Sequence, residues 1–302
     1  AEAKATRLEA LPFARLPGAF RRLCRDLALA RDRQYSARLV EDLHRRVLAA
    51  HQHIYGAMPA QRGSVLAFIA GGFPRLVRDE WRLVLAAFLL FFLPLVIMLV
   101  AAQYVPESVY LILSPEQADQ MQEMYAPDAK HIGRPRSAGS QWEMWGYYIA
   151  NNVRIDFQCF AGGIAFGVGA VFFMIYNGLM IGAVAGHLTQ LGYIETFWGF
   201  VAGHGAFELT GAVLAGAAGL KLGQALIAPG RKGRMAALKD SATVAVRLLY
   251  GAATLTFLAA FIEAFWSPTQ GIPVQIKYGV GIALWVLTLA YLLLAGRRPR
   301  AA

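Results

Sequence analysis

The chain has 302 residues, 57% of them hydrophobic, and a formal net charge of +10. Its uncharged apolar runs exceed the roughly 20 residues that cross a bilayer as helix, which excludes a single soluble domain and predicts an all-α, polytopic helical membrane protein. Nucleic acid is not the expected partner of the basic excess: 15 of the 29 Lys and Arg precede Leu83, the pattern of an arm held against an anionic inner leaflet.

Residues 1–82 read as a cytoplasmic basic helical arm. Pro17 and Gly18 open a helix through Arg33, and Ser36 caps a second, ARLVEDLHRRVLAAHQHIY, whose Leu39, Leu43, Val47 and Leu48 recur near helical spacing. His44, His51 and His53 read as solvated, since His51 and His53 do not share a helix face. A third segment, SVLAFIAGGFPRLVRDEWRLV, mixes Phe68, Phe73 and Trp81 with Arg75, Arg78 and Arg82 and suits a helix lying among headgroups.

The first span, 83–105, carries no charge, contains Pro94 and can direct membrane insertion by itself. Residues 106–150 form an extracytoplasmic loop, in which Ser114-Pro115-Glu116-Gln117 starts a short helix to about Tyr125 and Trp142, Trp145, Tyr147 and Tyr148 form an interfacial belt. A membrane domain over 151–296 follows. Its second span is expected from Ile155 to Tyr176, with a turn at Asn177-Gly178, a third helix from Leu179 to Tyr193 and a fourth from Phe197 to Leu220. Lys221, Arg231, Lys232, Arg234 and Lys239 fall in the next loop. A sixth span, Val280 to Ala295, precedes a basic tail, 297–302, with Arg297, Arg298 and Arg300. About six spans with 23 of the 29 basic side chains on one side put both termini in the cytoplasm of a cell whose inner membrane holds the protein.

Within 151–220 only a few polar side chains break the apolar sequence, among them Asn151, Asn152, Arg154, Asp156, Asn177, His187, Glu195, His204 and Glu208. Polar groups in lipid need a partner or a task. Asn151, Asn152, Arg154, Asn177, His187, His204 and Glu208 form the candidate intramembrane cluster, with Arg154 as the expected cation for Glu208; the cluster reads either as helix glue or as an ion or proton path. Arg247 and Glu263 read as ordinary interface residues. The cysteines, Cys24 and Cys159, indicate no disulfide or metal site, and no cofactor or metal is assigned. A metalloprotease needs two His at i and i+4 with a Glu beside the first; Gly205 and Glu208 occupy those places after His204, which leaves His204 and Glu208, with His187 as third, as the ligands of that reading.

Small residues at four-residue spacing mark the packing faces: Gly163 and Gly167; Gly178, Gly182 and Gly186; Gly211, Ala215 and Gly219, with Gly216 beside them. They suit close helix packing within a subunit and also a homodimer.

The segments NNVRIDFQCFAGGIAFGVG, YNGLMIGAVAGHL, FWGFVAGHGAFELTGAVLAGAAGLKLG and IEAFWSP resemble the stage II sporulation protein M family. The resemblance implies a non-enzymatic membrane scaffold that localises envelope machinery whose hydrolases are other subunits. Relatives in non-sporulating organisms, which the long basic arm resembles more, are found beside MoxR-type AAA ATPases, von Willebrand-type proteins and RDD membrane proteins. The expected function is an assembly component of a cell-envelope complex; the alternatives are a transporter or channel through His204 and Glu208, and an intramembrane metal-dependent protease.

Overall fold

A computed structural model describes residues 16–55, 64–129, 132–133 and 141–297. The basic tail beyond Arg297 and the His53 side chain lie outside the described residues. The chain divides at Ser64 into two compact units, and the described residues contain helices and no strand.

The first unit pairs α1 (Leu16–Asp32) with α2 (Ala37–Tyr55). Leu27, Ala30 and Ala50 are buried, and the Phe20 ring meets His51 at 6.2 Å. α1 ends in a Schellman turn: Tyr35 N–H donates to Ala30 C=O and Gln34 N–H to Arg31 C=O. Gln34 sits there at φ 52°, the left-handed conformation in which glycine is usual.

The second unit begins at Val65, within the helical turn Ser64–Ala67, and continues through a π-helical turn at Phe68–Gly72 into α3 (Phe73–Asp79). Two of the arginines expected among headgroups turn into the protein instead. Arg78 donates to the carbonyls of Leu292 (2.6 Å) and Ala295 (2.8 Å), and Arg75 to that of Gly296 (3.0 Å). The last carbonyls of a helix lack intrahelical donors, and cations satisfy them well. Tyr291 Oη likewise donates to the Ile69 carbonyl of the π turn.

After a break at Glu80 the chain crosses as α4 (Trp81–Tyr104), with Pro94 inside it. A 3-10 turn, Pro106–Leu111, leads to α5 (Pro115–Tyr125), which starts with the expected reciprocal cap between Ser114 and Gln117. The Ser114 hydroxyl, ahead of the residue's own backbone amide, holds the Glu116 carboxyl below the usual carboxylate range. Then come α6 (Gln141–Ala161), α7 (Val168–Gln190), α8 (Gly205–Ile227), α9 (Arg234–Phe265) and α10 (Val274–Leu294).

Five of the described helices, α4, α7, α8, α9 and α10, are long and apolar enough to cross a membrane. α6, which carries Glu143, Arg154 and Asp156, is not among them. It nonetheless lies antiparallel along α9: Trp142 stacks edge-on to Phe265, Tyr148 packs with Ala260 and Ala264, and Asp156 meets Thr256. α6 is thus a sixth rod of the same bundle. α8 is the central one, with 72% of its membrane-length window buried against 17% for α4 and for α10. Its run of Gly and Ala fits that place, since neighbours approach from every side.

Several boundaries differ from those expected: α6 starts inside the expected loop 106–150, and α10 starts at Val274 and not Val280. Asn177-Gly178 does not turn but lies within α7, where Asn177 Nδ2 donates to the Phe173 carbonyl one turn back at 2.7 Å. The turn falls at Gly162–Gly167 instead, with Phe166 at φ 52° and Gly167 at φ 80°. The stretch expected to hold the second and third spans is therefore the end of α6 followed by one unbroken α7. The fourth is interrupted: Ile194–Trp198 is a π turn, Gly199–Val201 one helical turn, and α8 begins only at Gly205. Lys221, Arg234 and Lys239 lie inside helices, and the loop shrinks to 228–233.

The glycine faces are used within this one subunit. α4 and α7 run parallel, and Gly178, Gly182 and Gly186 lie directly against Phe91, Leu95 and the Leu99–Ala102 turn, so close that a Cβ would overlap backbone or Cβ atoms. At the other crossing Gly163 faces Gly219, Gly219 faces the Cys159 carbonyl, and Gly167 faces Gly223. Gly211 sits on Thr256 and Gly216 on the Met174 sulfur. With no hydrophobic force between helices in lipid, this approach is what gains dispersion contact.

Two outcomes follow for stability in detergent. Gly182→Leu at the α4–α7 seam should destabilise by about 3 kcal/mol or prevent folding, whereas Gly146→Ala, on an open face of α6, should be neutral or stabilise by about 0.5–1 kcal/mol; thermal unfolding of both variants checks the contrast. Gln34→Gly should slow hydrogen exchange across the α1–α2 turn in the full chain, since removing the Cβ relieves about 1 kcal/mol of left-handed strain.

Candidate functional site

The polar residues of the bundle fall into separate groups. The largest follows from two local features. The break before α8 places His204 at the helix N-cap and Glu208 in its first turn. Glu208 is therefore not at the middle of a span, as the sequence suggests, but beside free N–H groups whose dipole favours a carboxylate. Opposite, α9 runs on to Phe265 and so carries Glu263 in its last turn and Ser267 just beyond it.

From the end where α8 begins, this column runs inward. Ser267 Oγ and His204 Nδ1 are joined at 2.9 Å, and His204 Nε2 lies 3.6 Å from Glu208 Oε2. Ligand atoms of His204, Glu208 and Glu263 all lie within 4.8 Å of one another. Deeper in, Thr256 Oγ1 on α9 donates to Asp156 Oδ2 on α6 at 2.6 Å. Asp156 is 3% exposed and Thr256 1%, so this bond carries the full weight of desolvation. Asn152, Asp156, Asn177, Glu208 and Thr256 share the lining of a cavity of about 20 Å³, room for a single water. Asn152 Oδ1 accepts from Asn151 Nδ2 at 3.0 Å, while its own buried Nδ2 has no protein acceptor.

Of the seven cluster residues expected from sequence, Asn152, Asn177, His204 and Glu208 meet in this column. Asn151 is attached at its edge through Asn152. Arg154 is not its cation: the side chain is exposed and donates to Asn151 Oδ1 at 3.3 Å. On α6 it points away from the face that holds Asp156, as residues two apart do. His187 belongs to another place, where α5 covers α7. Its Nε2 is 3.0 Å from Gln122 Nε2, and its ring meets Tyr110.

Four members of the column were not legible as site residues. Asp156 stood out as a charge in apolar sequence without an evident partner, and Thr256 gave no signal. Glu263 and Ser267 sit beside Phe265 and Trp266, which reads as a membrane-interface belt. The signal available for Glu263 was a carboxylate with no basic residue at i±3 or i±4.

A helical bundle with buried carboxylates held between helices defines the class: an all-α polytopic membrane protein. The family model for Stage II sporulation protein M matches residues 87–268, more than half of the chain, and the chain belongs to that family. The match covers α6, α7, α8 and α9 and so contains the whole column. A second model, for a domain of unknown function (DUF8413), matches residues 1–56, which the first compact unit contains. No curated protein and no solved structure matches the chain.

Thr256→Val should destabilise by about 1–3 kcal/mol, because it leaves the Asp156 carboxyl buried without its donor. Asp156→Leu combined with Thr256→Val should cost less than the two single changes added. A double-mutant cycle of thermal unfolding in detergent measures both.

Proposed function

We propose that the protein is a non-enzymatic assembly component of a cell-envelope complex, embedded in the cytoplasmic membrane. Its amphipathic arm holds cytoplasmic partners, a MoxR-type AAA ATPase system among them, and the opposite end, covered by α5, meets envelope proteins. The observation that carries this reading is the use made of the intramembrane polar groups. Thr256 bonds Asp156 between α9 and α6, and His204 at the start of α8 bonds Ser267 after α9, beside a cavity that admits one water, which is the economy of helix glue rather than of a solute path. The separate family model over residues 1–56 supports a distinct module there. The positive-inside rule supports cytoplasmic termini: Lys221, Arg231, Lys232 and Arg234 cluster at the end where α8 stops and α9 starts, the same end as Arg75, Arg78 and Arg297. The glycine faces named for a homodimer are filled within the subunit, which supports other proteins as the principal partners.

The test is native electrophoresis with cross-linking and mass spectrometry on gently solubilised membranes, beside flux assays on the pure protein in liposomes. Wild type should migrate with a second membrane or envelope protein in fixed ratio, removal of residues 1–56 should release the cytoplasmic partner, and liposomes should pass no more protons or ions than empty ones. Wild type running alone, together with a flux that Glu208→Gln abolishes, would overturn the reading in favour of a transporter.

A further inference from the structure

His204, Glu208 and Glu263 come from the start of α8 and the end of α9, yet their ligand atoms all lie within 4.8 Å of one another. On one zinc ion, with bonds of about 2.0–2.2 Å, neighbouring ligand atoms stand about 3.3 Å apart. The 3.6 Å between His204 Nε2 and Glu208 Oε2 is already near that value, and the Glu263 carboxylate lies within 4.8 Å of both.

The imidazole is oriented as a ligand is. Its Nδ1 is tied to Ser267 Oγ at 2.9 Å, which leaves Nε2 facing the carboxylates. Metal-binding histidines are held by such a partner on the other ring nitrogen. Ser267 is itself fully buried, and its carbonyl accepts from Lys277 Nζ at 2.8 Å, so the partner is fixed. Lys277 is engaged with a carbonyl, and among the described residues the ion-pair contact of Glu208 is with His204. Two carboxylates this close repel one another when both are ionised, and a dication converts that repulsion into attraction. The Glu208 side chain keeps 27% of its surface exposed, and the turn after Ser267 lines a separate cavity of about 380 Å³.

We propose that His204, Glu208 and Glu263 bind one divalent transition-metal ion, with zinc as the best fit to one imidazole nitrogen and two carboxylate oxygens, and that the ion pins the start of α8 to the end of α9. Three protein ligands leave a fourth position for water or for a donor from a partner. This stands apart from the assembly reading and holds or fails in the isolated protein.

The experiment uses the full chain in detergent, stripped with a chelator, dialysed, and titrated with Zn²⁺ by calorimetry, with bound zinc counted by elemental analysis. Wild type should bind one zinc per chain and gain a higher Tm. Glu263→Gln and His204→Gln should bind at least about 100-fold more weakly, Ser267→Ala about 10–100-fold more weakly, and Glu195→Gln, in the neighbouring cavity, as wild type does. Because a ligand variant can fail to fold, wild type is also loaded with Co²⁺, whose visible spectrum should be that of a four- or five-coordinate N/O site and should vanish on adding Zn²⁺. No stoichiometric zinc in wild type, undiminished binding in folded Glu263→Gln, or the spectrum of the hexaaqua cobalt ion would each overturn the proposal.

Discussion

The hydrogen bond from Thr256 to Asp156 sets the arrangement of α6, α8 and α9. It joins α6 to α9 deep in the bundle, and Gly211 of α8 must lie against the same Thr256 for the three helices to close around it. In water such a bond contributes modestly, because either group can turn to solvent. Between helices in lipid neither can, and the register of α6 on α9 is fixed by the need to keep them together. The column from Ser267 to Asp156 extends the same logic over several helical turns, with Ser267–His204 and Thr256–Asp156 as its links between segments and His204–Glu208 as a link along α8.

This register explains why a helix as polar as α6 is a full member of the bundle. Counted by hydropathy it falls short, since Arg154 and Asp156 sit within its central turns. Asp156 faces α9 and is satisfied there, while Arg154 leaves the opposite side toward the lipid boundary. The long, flexible side chain lets its head reach polar surroundings. Hydropathy averages over both faces, and a helix whose charges are sorted between them loses less than its average indicates.

Much of the fold was legible in the sequence where the signal was local. α2 starts and ends where its cap and periodicity place it, the Ser114–Gln117 cap opens α5, and the first span needed only its length and lack of charge. The errors lay where the same residues serve two ends. Asn-Gly is a turn signal in water, but at positions 177–178 the Asn side chain satisfies a carbonyl of its own helix and the Gly admits Phe91. The site was half legible: spacing put His204 and Glu208 on one face, while Glu263 and Asp156 needed the antiparallel fit of α9 against α6 and α8, which no local pattern encodes.

Near its two ends the membrane unit closes on itself. Gly71 and Gly296 lie backbone to backbone, and Arg75 and Arg78 reach across to the final carbonyls of α10. In connectivity the bundle is therefore nearly a ring, so the order in which the helices follow one another along the chain is separable from where they stand. Mechanically, a pull on the segment before Phe73 and a pull on the segment after Leu294 enter at one seam, and the load is shared by short polar bonds there before it reaches the helices that hold the carboxylates.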